Sequence, residues 1–156
     1  MNNDLQTSSI SSDSLEDTIR IGKAIGKNLR GGEVIELLSD IGGGKTTITK
    51  GIAFGAGSND LVSSPSFTLC NEYQAKDFRI YHFDFYRLSE PGIIKQELQE
   101  VLQDSNCVTL IEWPDTVENI LPTGKIAIEL TSADETRREI TVKYDEDHRY
   151  IIEGLV

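Results

Sequence analysis

Apolar residues recur along the chain in two rhythms. Leu15, Ile19, Ala24 or Ile25 and Leu29 return at near-helical spacing, which predicts an amphipathic helix over 14–30. Gly31-Gly32 ends it. Residues 34–38 are a short apolar run after a turn, the pattern of a buried strand. A second helix is predicted from Lys45 to about Phe54, closed by the breaker Gly55-Ala56-Gly57. Residues 58–68 read as a loop turning at Pro65. Strands follow over 69–74 and 79–85, both aromatic and alternating, and 75–78 can turn a hairpin between them. A helix is expected over 89–103, with Glu90-Pro91 as its start. Residues 107–111 form another short apolar strand. Two alternating strands, 125–130 and 138–144, are joined by a polar turn, and the apolar tail 150–156 is expected to pack on the sheet.

Strands alternate with helices early and turn antiparallel late. The predicted fold class is therefore α/β, a mixed parallel/antiparallel sheet flanked by helices. Residues 1–13, rich in Ser, Asn and Asp, are expected to be a flexible N-terminal segment before one domain over 14–156.

Composition narrows the function. The net charge is −11, so the surface repels phosphate backbones and anionic lipid, and strong direct tRNA or other nucleic-acid binding is not expected. The N-terminus has neither a basic start nor an apolar core, and no apolar run reaches a membrane span. Cys70 and Cys107 have no metal-ligand spacing and read as reduced, buried thiols. The expected compartment is the cytoplasm.

The chemistry begins where the first buried strand meets the second helix. The phosphate-loop pattern is G-x-x-x-x-G-K-[ST] between a strand and a helix. Gly44-Lys45-Thr46 match it, while Ser39 stands at the first glycine. Gly42, Gly43 and Gly44 let successive backbone N–H groups turn inward toward phosphate oxygens, and the helix N-terminus adds its partial positive charge. Lys45 can reach the β- and γ-phosphates, Thr46 can ligate Mg²⁺, and Thr47 closes the nucleotide-binding stretch. Such a loop needs an acid at a neighbouring strand end. Glu112 follows four mostly apolar residues, and Asp84 closes a second strand. His82 shares the Asp84 face and reads first as a structural histidine. Arg87 reads as a phosphate contact or as a partner of Glu90, and His148 as solvated.

The stretches 40–47, 62–67, 81–88 and 110–114, with Leu121-Pro122, occur in an order that resembles the TsaE (YjeE) family, bacterial P-loop NTPases of tRNA threonylcarbamoyladenosine biosynthesis. The resemblance implies a P-loop NTPase fold and a partner-dependent ATPase that uses ATP and Mg²⁺. Its implied partners are TsaB- and TsaD-like proteins, which modify adenosine 37 of tRNA. It implies Lys45, Asp84 and Glu112 as catalytic residues, Thr46 and Glu112 at the metal, Trp113 beside the site, and Arg137 near the nucleotide. Ser39 and Ser66 replace the family's usual glycine and threonine.

Other classes fit less well. A small-molecule kinase on this loop usually carries a basic lid, and no Arg-rich stretch offers one. A GTPase needs a guanine-reading N/T-K-x-D motif, which is absent. A non-catalytic ATP-binding subunit remains the alternative of a different class. The serine-rich 63–67 loop is expected to order around ATP and to complete the site with the partners.

Overall fold

A computed structural model of the chain describes residues 4–40, 42–86, 88 and 92–155. Seven strands form one sheet in the order β1-β7-β6-β2-β5-β4-β3. They are β1 (Gln6–Ser12), β2 (Val34–Leu38), β3 (Cys70–Gln74), β4 (Arg79–Asp84), β5 (Cys107–Glu112), β6 (Ile126–Ser132) and β7 (Arg138–Tyr144). The centre, β6-β2-β5-β4, is parallel. Antiparallel neighbours flank it: the hairpin β3–β4 on one side, β7 and β1 on the other. This is the mixed sheet expected from the sequence.

Helices α1 (Leu15–Asn28) and α2 (Lys45–Gly55) cover one face, where Ile21, Ile25, Ile48 and Ile52 meet Ile35, Leu37, Val108 and Leu110. Helix α3 (Gly92–Leu102) and a short 3₁₀ segment, Pro114–Ile120, cover the other, around Val34, Phe83, Ile111 and Leu98. The expected start of α3 at Ser89–Pro91 lies outside the described residues, as do Arg87 and its expected partner Glu90.

Several expectations change. Residues 6–12 are not frayed: β1 pairs with β7 over its full length, from Gln6↔Tyr144 to Ser12↔Arg138. A polar strand is stable there because the ladder satisfies its backbone, and Ser8 and Ser11 bond Tyr144 and Glu139. Only residues 1–3 of that segment lie outside the described residues.

The buried stripe of α1 is also rotated from the expected one. Leu15 is exposed, whereas Thr18, Ile21, Gly22, Ile25 and Gly26 are buried. Gly22 and Gly26 face Gly51 and Gly55 of α2, and a methyl group on any of the four would collide with a backbone oxygen of the other helix. Gly55 is thus a packing residue inside α2. The chain leaves the helix at Gly57, whose φ of +93° suits glycine.

The tail forms a second 3₁₀ segment, Glu146–Ile152, whose Ile151 and Ile152 join the α1–α2 core. Tyr150 Oη donates to Glu33 Oε2 at 2.7 Å, and Asn28 Nδ2 donates to the carbonyl of Ile151 at 3.0 Å. His148 is not simply solvated: its Nδ1 lies 2.6 Å from Asp145 Oδ1. Val156 lies outside the described residues.

Candidate functional site

The loop between β2 and α2 opens at the carboxyl ends of the parallel strands, where open α/β sheets bind ligands. Gly42 and Gly44 adopt φ of +77° and +103°, which only glycine takes without strain. Ser39 has no positive φ, so a serine there costs no backbone strain. Its hydroxyl donates to the Asp40 carbonyl at 2.8 Å, and its side chain fills the space that a side chain on Gly43 would need. Ile41 lies outside the described residues.

The loop borders a cavity of about 340 Å³ lined by Gly42, Gly43, Gly44, Lys45, Thr46, Thr47, Ser64, Ser66, Asp84, Tyr86, Glu112 and Trp113. Gly42 to Thr47, named from the sequence for nucleotide binding, and both acids meet here. Lys45 opens α2 and is buried; its Nζ donates to the Ser39 carbonyl at 3.2 Å and lies 4.3 Å from the centre of the Trp113 ring. Burial pushes its ammonium below the usual lysine range, against the pull of Glu112 and Asp84. Trp113 reaches this position through a left-handed backbone (φ +54°), a strained geometry of the kind that clusters at functional sites.

The two acids are register partners, Asp84↔Glu112, at the ends of the adjacent strands β4 and β5. Both are buried. Asp84 accepts from the Tyr86 N–H at 2.8 Å and from the Ser66 hydroxyl at 3.1 Å. Ser66 in turn shares a 2.8 Å hydrogen bond with Ser64. The 63–67 loop thus touches the second acid directly, while Phe67 beside it is fully exposed. Glu112 Oε2 lies 2.6 Å from Nε2 of His82, which is fully buried.

Arg137 is not brought to the loop. Its side chain is two-thirds exposed (66%) and faces Asp13 and Asp134 at 3.9 and 3.8 Å. The neighbouring Arg138 takes that place, donating through Nε to the Gly43 carbonyl at 3.3 Å. Arg138 also lines a second cavity of about 210 Å³ on the other side of the loop, with Ser14, Thr18, Gly42, Gly44, Thr47, Glu135 and Thr136. Arg138 opens β7 and shares its strand phase with the buried Ile140 and Val142, whereas Arg137 precedes the strand; that alternation was the signal that pointed to Arg138 as the inward-facing arginine. Tyr73, beside His82, was also missed. Hairpin register would have found it, since Tyr73 lies diagonal to His82 across β3–β4.

Both cysteines are free. Burial pushes the Cys70 thiol up to about 12 and the Cys107 thiol up to about 11, so both are protonated and unreactive near neutrality.

Comparison with known proteins gives one answer. The model of the family "Threonylcarbamoyl adenosine biosynthesis protein TsaE" matches residues 12–140. The tRNA threonylcarbamoyladenosine biosynthesis protein TsaE of Bacillus subtilis is 36% identical over 126 residues, covering 81% of this chain and 78% of that protein. The protein of the same name from Treponema pallidum is 36% identical over 130 residues, covering 83% of this chain and 95% of its own. The crystal structure of Bacillus subtilis YdiB superposes with a TM-score of 0.76 at 29% identity, covering 92% of this chain and 89% of that one.

Proposed function

Since the chain belongs to the TsaE family, we propose that it is the ATP-binding and ATP-hydrolysing component of the bacterial machinery for tRNA N6-threonylcarbamoyladenosine. In this reading it acts with TsaB- and TsaD-like proteins. The observation that carries the proposal is the convergence of a phosphate-type loop, a buried lysine and two register-paired carboxylates on one cavity.

The residues present suit a nucleotide with Mg²⁺. Among the described residues, no group of three His, Cys, Asp or Glu side chains could hold a metal by itself. Mg²⁺ needs no such cage, because it binds through one or two carboxylates together with substrate phosphates and water. Thr46 and Glu112 would hold it. Bound there, the ion would neutralise charge that develops on the phosphate during transfer.

The chain's own residues supply the rest. The N–H groups of the loop and first turn of α2 cradle the phosphates, and Lys45 adds a cation in a confined site where charge acts strongly. Asp84 would orient the attacking water, and its hydrogen bond from Ser66 would make the 63–67 loop responsive to what occupies the cavity. The second cavity, reached past Gly42 and Thr47, offers room for the base.

Lys45 is the one cation among the described residues lining the main cavity. An arginine finger from a partner can be worth orders of magnitude in rate. ATP turnover by the lone protein is therefore expected to be slow and to rise at least about tenfold with purified TsaB- and TsaD-like proteins. Fast turnover alone, or none with both partners, would refute the reading.

A further inference from the structure

His82 has no part in phosphate binding, yet it is fully buried beside the cavity acids. Its register partner on β5 is Leu110, so an apolar residue would suit the packing equally well. An imidazole belongs there only if both ring nitrogens are bonded, because a buried polar group without a partner is costly. Both are: Nε2 lies 2.6 Å from Glu112 Oε2 and Nδ1 lies 3.2 Å from the Tyr73 hydroxyl. The Tyr73 hydroxyl also lies 3.0 Å from the Ser63 carbonyl, at the start of the 63–67 loop.

We propose that His82 is a positioning residue that holds the Glu112 carboxylate in its metal-binding orientation, and that Tyr73 ties this hold to the 63–67 loop. The inference rests on the nucleotide reading above.

The proton positions follow from the partners. Against a carboxylate, Nε2 carries the proton and donates, which leaves Nδ1 as an acceptor. Among the described residues, the donor on that side is the Tyr73 hydroxyl, whose single proton serves either Nδ1 or the Ser63 carbonyl. Neither choice orphans the carbonyl, since Asn71 Nδ2 also donates to it at 3.1 Å. With Oε2 engaged by His82, Oε1 of Glu112 is the oxygen left for a cavity ligand. A displacement of Ser63 frees the Tyr73 proton for His82, so the loop and the acid are coupled through one hydroxyl. Partners of metal-ligating side chains commonly matter 10- to 100-fold in metal affinity.

Trp113 is the chain's single tryptophan and sits against Lys45, so its fluorescence reads the site without turnover. The experiment titrates MgCl₂ into protein saturated with a non-hydrolysable ATP analogue, for wild type, His82→Phe, His82→Gln and Tyr73→Phe. His82→Phe keeps the aromatic bulk and loses the donor; half-saturation is expected at roughly 10–100-fold higher Mg²⁺, with Mg²⁺-free analogue affinity unchanged. His82→Gln keeps an amide N–H at a similar reach and is expected to stay within about fivefold of wild type. Tyr73→Phe is expected to shift half-saturation about two- to fivefold in the same direction. A packing role predicts the reverse order, with phenylalanine tolerated better than glutamine, and that order overturns the proposal. An unchanged midpoint in His82→Phe also overturns it, as does an unchanged midpoint in both other variants should His82→Phe fail to fold. A wild type whose fluorescence ignores the analogue refutes the nucleotide reading itself, a distinct result.

Discussion

Where α2 crosses α1, an added methyl group on Gly22 would lie 2.5 Å from the Ile48 carbonyl oxygen; at its N-terminus the same helix borders a cavity of about 340 Å³. The crossing is neutral and filled. Gly22 and Gly26 on one helix meet Gly51 and Gly55 on the other, sealed by Ile21, Ile25, Ile48 and Ile52. The N-terminus is charged and open, with Lys45, Asp84 and Glu112 all buried. Burying such groups is costly, and functional sites tolerate that when surrounding packing offsets it. The close crossing is placed to supply that offset, since it fixes the helix whose first turn presents the phosphate loop. One region is therefore sensitive to volume and the other to chemistry.

Substitutions can separate the two. The largest expected effect on the fold is at Gly26→Ala, whose new methyl would collide with the Ile52 carbonyl. Alanine gains about 1 kcal/mol of helix propensity, but overpacking costs about 1–3 kcal/mol or more. Because the obstacle is backbone rather than a flexible side chain, the upper end applies. A net loss near 2 kcal/mol corresponds to a Tm lower by about 4–8 °C for a chain of this size. Thermal unfolding followed by circular dichroism measures it, and an unchanged Tm would mean that the helices can move apart freely.

Lys45→Ala inverts the pattern. Tm is expected to hold or rise, because a buried ammonium is removed. ATP turnover with the partner proteins is expected to fall about 10²–10³-fold, the usual loss for one transition-state donor. Turnover equal to wild type would remove Lys45 from the chemistry.

The smallest effect sharpens the boundary of the site. Arg138→Ala removes the side chain that bonds the Gly43 carbonyl, a loss near 1 kcal/mol, or about five- to tenfold in nucleotide affinity. Arg137→Ala removes only exposed pairs and is expected to stay within about twofold. Calorimetric titration of both variants checks this, and equal losses would show that Arg138 has no special hold on the loop.

The sequence made much of this legible because the relevant signals are local. The apolar run before Ser39 and the glycines before Lys45 place the loop between β2 and α2, as the structure has it. An acid after a buried strand also reads locally, and Asp84 and Glu112 were both found at strand ends that the register brings side by side. What escaped depends on distant partners. β1 carries Ile10 as its one apolar residue, so its strand character resides in β7. The α1 stripe was misplaced because glycine has no hydrophobic signature, although Gly22 and Gly26 form the contact surface. Arg137 was named from the family resemblance, whereas the arginine that bonds the loop is its neighbour Arg138, at the start of β7.

The pairing of β1 with β7 also sets an order of events during synthesis. At about 5–20 residues per second, the segment Arg138–Tyr144 emerges on the order of ten seconds after Gln6–Ser12. Throughout that interval the first strand has no partner. An apolar, β-prone strand left waiting so long would recruit other chains. Gln-Thr-Ser-Ser-Ile-Ser-Ser does not, because with a single isoleucine it has little to offer a neighbouring nascent chain. The polarity that hides this strand from a reading of the sequence lets it remain harmless until its place in the sheet exists.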